Sequence, residues 1–305
     1  MMRAPQRTAG ILSAVSLAAL LTAFASPEAA AGPDYQELCA GPVAELKAVQ
    51  VRIQAHNARP HTGPYNAAAA AYDAEAASLR ADQSRAISRL MACERGLDQM
   101  QARYPQAKIM SPTPDAVNKI DTALKKVTDA EKQAATRWNP KTYDYLRYGQ
   151  GKDGMTKRVD RRPPKLPPSI QGVYNALDAT RPAFPRTAYL QGSQAPRTGT
   201  PDPAYPGSSS RTIRSVHMDH IIPLRRLVTF RDFLKLSPGN MFIVANSPAN
   251  AQWLSGSSNL AKGSGSAAFA SGTNATWRQQ QAQLRDKAET ELQELIDALL
   301  KSQRS

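Results

Sequence analysis

Residues 216–224 of this chain are Val216-His217-Met218-Asp219-His220-Ile221-Ile222-Pro223-Leu224. The β-branched and alternating pattern across residues 213–222 predicts a strand. Adjacent side chains on a strand point to opposite faces, so Asp219 and His220 are expected to face different surroundings. A carboxylate is a suitable ligand for a hard divalent cation, and a neutral imidazole can accept a proton from water. This pair of residues therefore indicates a candidate metal and proton-transfer site.

A second polar segment follows, Asn250-Ala251-Gln252-Trp253-Leu254-Ser255-Gly256-Ser257-Ser258-Asn259-Leu260-Ala261-Lys262-Gly263. It contains two asparagines and closes with Asn-x-x-Lys-Gly. Taken in order with the Asp-His-x-x-Pro-Leu motif, the pattern resembles the HNH, or ββα-metal, endonuclease superfamily, in the variant common among bacterial secreted toxins. The resemblance covers residues 211–305.

The resemblance implies a role for each matching residue. Asp219 and Asn259 would be the ligands of one divalent metal ion, with Mg²⁺ preferred and Mn²⁺, Ni²⁺ or Zn²⁺ as further candidates. His220 would be the general base, and Asn250 would orient its imidazole. Lys262 would lie near the scissile phosphate.

Several positions near the motif have two interpretations. The middle asparagine could be Asn240 or Asn246 instead of Asn250, since a helix is predicted over residues 226–235. Arg225 and Arg226 are predicted to contact phosphates, and surface salt bridges are the alternative. His217 could be an extra metal ligand or a packed or surface histidine.

Composition limits the class of protein and of partner. The chain has 305 residues, 39 Lys and Arg against 25 Asp and Glu, and a formal charge of +14. Such a charge favours a polyanionic partner, either nucleic acid or an anionic envelope surface. With 6% aromatic residues and 23 prolines, the chain is expected to be mostly helical, its helices joined by irregular segments. The resemblance implies a ββα-metal domain in addition, so the expected fold class is α+β.

The N-terminus has the pattern of an export signal. Arg3 and Arg7 precede an apolar stretch at 11–24, and Ala23-Phe24-Ala25 is a small-x-small cleavage site. The sequence therefore predicts a signal peptide over residues 1–25, with a second possible site ending at Ala31, and a secreted or periplasmic protein. A retained anchor is the alternative, but the stretch is short for a spanning helix.

A helical domain is predicted over residues 33–138. Apolar residues at helical spacing indicate helices over 35–58 and 67–103, separated by a break at 58–64. In an oxidising compartment Cys39 and Cys93 are expected to form a disulfide that links this hairpin; two buried thiols or a metal pair are the alternatives. A third helix is predicted from Pro114 to Trp138, with Thr113 as its N-cap.

Residues 139–210 are rich in Pro, Gly and Ser and predict a basic linker. Aromatic and cationic side chains in it could bind a nucleic-acid strand, or the segment could be a solvated tether; these residues are Tyr143, Tyr145, Tyr148, Lys157, Arg158, Arg161, Arg162 and Lys165. A final helix is predicted over 274–301, inside a C-terminal nuclease domain at 211–305.

The leading hypothesis is an exported, divalent-metal-dependent endonuclease that acts on DNA rather than RNA. If it is a toxin, an acidic immunity protein is an expected partner. The alternative is a non-catalytic envelope or nucleic-acid-binding protein with a degenerate nuclease domain. A structural periplasmic helical protein is a third hypothesis. No membrane anchor is expected after signal cleavage.

Overall fold

The computed structural model of this chain describes residues 33–59, 67–138, 148–150, 156–158, 165–207, 211–263, 265–270 and 272–303, with the backbone alone at 148–150 and 156–158. The predicted signal peptide at 1–25 and most of the predicted break at 58–64 lie outside these residues. The described part is mostly helical, in agreement with the expected fold class.

The helices are short in the middle of the chain and long near its ends. They are α1 (Tyr35–Leu38), α2 (Ala40–Asn57), α3 (Ala67–Arg103), α4 (Pro114–Leu124), α5 (Asp129–Ala134), α6 (Pro168–Ala179), α7 (Leu224–Leu227), α8 (Pro238–Ala245), α9 (Gly256–Lys262) and α10 (Ala275–Lys301). Short 3₁₀ turns lie at Ala135–Trp138, Phe233–Lys235, Pro248–Asn250 and Ala267–Phe269.

The strands form two antiparallel pairs within the described residues. β1 (Tyr148–Gln150) pairs with β2 (Thr156–Arg158), and β3 (Val216–His220) pairs with β4 (Ala251–Ser255). β3 is shorter at both ends than the strand predicted over 213–222.

Helices α2 and α3 form the predicted hairpin. The side chains of α2 that were expected on one face are buried, namely Val43, Leu46, Val49 and Ile53. Cys39 and Cys93 form the predicted disulfide, with their Cα atoms 6.1 Å apart. The bridge closes a loop between residues 54 positions apart, which restricts the unfolded chain and stabilises the fold by about 4 kcal/mol on entropy grounds.

The third predicted helix is divided in the structure. α4 ends at Leu124, and α5 begins after Thr128. The Thr128 hydroxyl accepts a hydrogen bond from the Glu131 backbone N–H, while the Glu131 carboxylate accepts one from the Thr128 N–H. This capping box starts a new helix, because it satisfies backbone donors that a continuous helix would have used internally. The prediction of one helix to Trp138 is therefore wrong.

The linker prediction is also wrong for part of its range. α6 lies inside residues 139–210 and begins with Pro168, which is compatible with the first turn of a helix. Three of its side chains are almost completely buried, Ile170, Val173 and Leu177. The predicted aromatic and basic side chains at 143–162 lie outside the residues whose side chains are described, and Lys165 is exposed.

The long terminal helices share one core with the central segments. α10 begins at Ala275, one residue after its predicted start, is capped by Asn274, and packs against α3. A Cβ added to Gly96 on α3 would lie 2.9 Å from the Cβ of Ala298, so the two helices approach closely at this point. Buried residues of α2, α3, α6, α8 and α10 belong to the same apolar cluster. The predicted boundary between a helical domain and a nuclease domain is therefore not confirmed.

The predicted helix over 226–235 does not form. α7 ends at Leu227, and Asp232 adopts a left-handed backbone conformation with φ of 62°, which interrupts helical hydrogen bonding. A new helix, α8, starts after Ser237, whose hydroxyl accepts a hydrogen bond from the Asn240 N–H. None of the helices among the described residues is sufficiently long and apolar to cross a membrane.

Candidate functional site

The site is built on the β3–β4 hairpin and the helix that follows it. The register pairs Asp219 with Gln252 and His220 with Ala251. Residues directly opposite on paired strands share a face, so Asp219 and Gln252 lie on one face and His220 on the other. α9 starts directly after β4, which gives the order strand, strand, helix.

The start of α9 is fixed by buried polar contacts. The Ser255 hydroxyl caps the helix by accepting a hydrogen bond from the Ser258 N–H at 3.0 Å. The same hydroxyl donates to the carboxylate of Asp202, which is 2% exposed and also accepts from the Ala204 N–H. Asp202 lies in the predicted linker, and its role depends on tertiary contacts that no local sequence signal reports.

Gly256 is required where β4 turns into α9. Its N–H donates to the Ser215 carbonyl at 2.8 Å, which ties the helix start to the residue before β3. A Cβ at this position would lie 2.2 Å from the Ser215 Oγ. A side chain at this position would therefore force the Ser215 hydroxyl to move.

Lys262, the last residue of α9, contacts Asp219. Its Nζ donates to Oδ1 and Oδ2 of Asp219 at 2.6 and 2.5 Å, and to the carbonyl of His220 at 2.7 Å. The Lys262 side chain is 3% exposed and that of Asp219 is 11% exposed. The expectation that Lys262 lies on a substrate phosphate is therefore not met in this arrangement, because its ammonium is bound to the carboxylate.

These contacts show that the oxygen atoms at the end of β3 can bind a positive charge. Three oxygens surround one ammonium, so the end of β3 forms a cation-binding position. Asn259 lies three residues before Lys262 on α9, which is the spacing of side chains on one side of a helix, and it is partly exposed. Carboxylate and amide oxygens, the donor types of Asp219 and Asn259, are ligands that a hard cation such as Mg²⁺ prefers. Among the described residues, no group of three or more His, Cys, Asp and Glu side chains could hold a metal.

His220 is enclosed on the opposite face. Burial, followed by the charges of Arg181 and Lys262, lowers the pKa of its imidazole to about 3. The imidazole is therefore neutral near pH 7. Its Nε2 and the Oδ1 of Asn246 are both buried without a hydrogen-bond partner among the described residues. The expectation of an imidazole facing water is thus not met in this closed arrangement.

A segment of the predicted linker lies against this face. Trp253 shares the His220 face of the hairpin, and its Nε1 donates to the Ala188 carbonyl at 3.0 Å. Gln191 donates to the Pro248 carbonyl at 2.9 Å. Residues around Ala188 therefore contact the hairpin and the turn before β4. Sequence reasoning assigned no role to them, since only the folded chain brings them here.

Asn250 has a different role from the predicted one. Its Oδ1 accepts a hydrogen bond from the Ile222 N–H at 2.8 Å, and its Nδ2 donates to the Ala245 carbonyl at 3.1 Å. Both ends of the amide are therefore bound to backbone, which fastens the chain after His220 to the end of α8. Asn246, an alternative considered for the middle position, is the asparagine beside the imidazole. Asn240 instead bonds Gln303 near the end of α10.

The predicted substrate-binding arginines have protein partners. Arg226 is buried and donates to the Glu289 carboxylate of α10 at 2.6 Å, in line with the salt-bridge alternative, while the phosphate contact stays a prediction. Arg225 donates to the Gln171 side chain of α6 at 3.1 Å. His217 is exposed and lies 3.2 Å from the Ser215 hydroxyl. The exposure of His217 agrees with its interpretation as a surface histidine rather than as a metal ligand.

Gln252 is a site residue that sequence reasoning missed. It lies directly across the hairpin from Asp219 and is 4% exposed. Its Nε2 is buried and has no hydrogen-bond partner among the described residues. An unsatisfied donor beside the cation-binding position could bind an oxygen of water or of a phosphate.

Comparison with known proteins gives no relative, since no family model, no curated protein and no solved structure matches this chain.

Proposed function

We propose that this chain is an exported, divalent-metal-dependent endonuclease that hydrolyses phosphodiester bonds, with DNA as the preferred substrate. One observation carries the proposal. β3, β4 and α9 follow one another as strand, strand and helix, and the Asp-His motif on β3 touches the lysine of the Asn-x-x-Lys-Gly motif on α9. The two halves of the sequence pattern therefore meet in space, in the element order that the resemblance implies.

Asp219 and Asn259 are the residues proposed to hold the metal. Asp219 already contributes two oxygens to a position that binds a cation, and Asn259 lies three residues before Lys262 on α9. When bound, a divalent ion would neutralise charge that develops on the reacting phosphate. Hard oxygen donors favour Mg²⁺, with Mn²⁺, Ni²⁺ and Zn²⁺ as further candidates.

His220 is proposed to accept a proton from the attacking water. As the water oxygen bonds to phosphorus, one P–O ester bond breaks, and the departing oxygen receives a proton from solvent. The neutral imidazole is in the correct state for this role. Because Nε2 is buried, the catalytic state requires a movement that exposes the imidazole to water and substrate. Exposure would return the pKa of His220 toward its ordinary value of about 6.5.

Substrate, location and partner follow from charge and the resemblance. A formal charge of +14 favours association with a nucleic-acid backbone. A signal peptide over 1–25 would direct the protein to the periplasm or the exterior. A toxin role would require an acidic immunity protein that protects the producing cell.

The direct experiment incubates the purified mature protein with plasmid DNA and with RNA, using Mg²⁺, Mn²⁺, Ni²⁺ and Zn²⁺ in turn and a chelator as control. Cleavage that the chelator stops and that Asp219→Ala abolishes supports the proposal. Asp286→Ala is a matched control, because this carboxylate is exposed on α10 and lies outside the site. No cleavage by the wild-type protein with any of these metals contradicts the proposal.

A second candidate function is a binding protein with a degenerate nuclease domain. The specific observation in its favour is that His220 is enclosed while Asp219 is bound by Lys262. On this hypothesis the protein retains DNA in a gel-shift assay without metal and never cleaves it. Retention that weakens steeply with salt, together with no cleavage across the metal panel, would favour this candidate over the enzyme.

A further inference from the structure

Lys262 has the contacts of a bound cation rather than of a surface lysine. An ammonium has three N–H donors. Lys262 donates to three oxygens at 2.5 to 2.7 Å, among its partners: two belong to the Asp219 carboxylate and one is the His220 carbonyl. With 3% of the side chain exposed, its positive charge depends on these oxygens for the stabilisation that water would otherwise supply.

The ammonium and a divalent ion would use the same carboxylate. A metal ion binds oxygen ligands at about 2.0 to 2.5 Å. An ion on the inner side of the Asp219 carboxylate, the side that faces the end of α9, would therefore lie in contact with the Lys262 Nζ. Two cations in a buried site repel each other strongly because little water screens them. The inner position can therefore hold Lys262 or a divalent ion, but not both.

We propose that Lys262 is an internal competitor of the divalent cation: it occupies the inner face of Asp219 in the resting protein, and a metal ion binds there when the ammonium leaves. This inference rests on the proposed function, because it assigns the regulation of the same site. The lysine keeps the carboxylate neutralised without metal and raises the metal concentration at which the site fills. Once displaced, the ammonium becomes available to a substrate phosphate, which reconciles the contact observed here with the role that the sequence motif implies.

The position of Lys262 suits such an exchange. The start of α9 is held by the Ser255 cap and by the close contact of Gly256 with Ser215. Lys262 is the last residue of the helix, which stops at Gly263, whose φ of 57° and ψ of −135° suit glycine. The exchange therefore requires the last turn of α9 to shift while the hairpin and the helix start remain in place.

The test is the affinity of the full-length mature protein for Mn²⁺ without nucleic acid, measured by titration calorimetry or by the paramagnetic signal of unbound Mn²⁺. Wild type is compared with Lys262→Met, which keeps the aliphatic stem, and with Lys262→Gln, which keeps a polar head. We expect each variant to bind Mn²⁺ at least tenfold more tightly than wild type. The double variant Asp219→Asn/Lys262→Met is the matched control and should lose this gain.

Each outcome decides the inference. Equal or weaker Mn²⁺ binding by both single variants overturns it, including the case in which no protein binds Mn²⁺. If a single variant folds only when Mn²⁺ is added, the ion has replaced the ammonium and the inference is supported. A variant that remains unfolded at saturating Mn²⁺ overturns it.

The proposed function can fail separately. If wild type cleaves DNA with Mg²⁺ while the single variants bind Mn²⁺ no more tightly, the exchange is wrong and the enzyme stands. If the variants bind Mn²⁺ tenfold more tightly but no protein cleaves nucleic acid, the exchange stands and the nuclease proposal fails.

Discussion

The ammonium of Lys262 lies 2.5 Å from Oδ2 of Asp219, and both side chains are largely withdrawn from solvent. One charge comes from the last residue of α9 and the other from β3. The pair therefore fastens the helix to the hairpin, and it determines whether Asp219 can receive a metal.

The stability of this pair can be measured by a double-mutant cycle. Removing either partner leaves the other charge buried and uncompensated, so Asp219→Asn and Lys262→Met without metal should each cost about 3 to 5 kcal/mol. The double variant should cost clearly less than the sum, because no charge remains unpaired. Urea unfolding in the presence of chelator gives the three values. Additive costs would show that the two residues do not interact.

Acid should destabilise the protein through His220. The pKa of His220 is lowered to about 3 in the folded chain, against about 6.5 when unfolded, so the unfolded state binds the extra proton between these values. Stability is complete above pH 6.5 and is lost as pH falls toward 3. Between pH 7 and 5 the loss attributable to this group should be about 2 kcal/mol.

The variant His220→Asn isolates that contribution in urea unfolding at pH 7 and pH 5. It should lose markedly less stability than wild type over this interval, in which few carboxylates titrate. His217→Asn, at an exposed position of the same strand, should behave like wild type. An identical pH dependence for His220→Asn and wild type would mean that folding does not lower the pKa of His220.

Gly256→Ala should destabilise the site by about 1 to 3 kcal/mol, the usual cost of overpacking. The new Cβ would collide with the Ser215 Oγ at 2.2 Å, whereas the Ser215 Cβ is 3.6 Å away. Adding Ser215→Ala removes the colliding atom, so the double variant should recover most of the loss. Thermal unfolding of the two single variants and the double variant measures this. A double variant no more stable than Gly256→Ala would contradict the close contact.

Reduction of the Cys39–Cys93 disulfide should lower the melting temperature. The bridge ties the start of the α2 region to α3 and contributes about 4 kcal/mol in the chain-entropy treatment. The double variant Cys39→Ser/Cys93→Ser should melt near the temperature of the reduced wild type and should not respond to reductant. A melting temperature that reductant leaves unchanged in wild type would show that the bridge adds no stability.

Sequence patterns within one segment predicted the helices whose ends depend on residues nearby in the chain. The ends of α3 and α10 follow from helical periodicity and, for α10, from the Asn274 cap. The break after Leu124 was missed although Thr128 and Glu131 have the spacing of a capping box. α6 was missed because its proline-rich flank obscured a short apolar periodicity, which acquires its meaning only from burial against α4 and α7.

The candidate site was less predictable for the same reason. Which lysine reaches Asp219 depends on the register of β3 and β4 and on the close approach at Gly256, neither of which periodicity reports. The partner of Arg226 is on α10, more than sixty residues away. Arg181 of the predicted linker, whose charge helps to lower the pKa of His220, is likewise placed by tertiary structure. The motif thus indicates which side chains are candidates, while tertiary packing determines what each one touches.

The most direct measurement is the initial rate at which the purified protein converts supercoiled plasmid to nicked and linear DNA with Mg²⁺, for wild type, His220→Ala and the strand control His217→Ala. A general base contributes about 10²-fold to 10⁴-fold, so His220→Ala should be slower by at least about 10²-fold while DNA retention without metal stays unchanged. His217→Ala should cleave at close to the wild-type rate. Equal rates for His220→Ala and wild type would contradict the assignment of His220 as the proton acceptor.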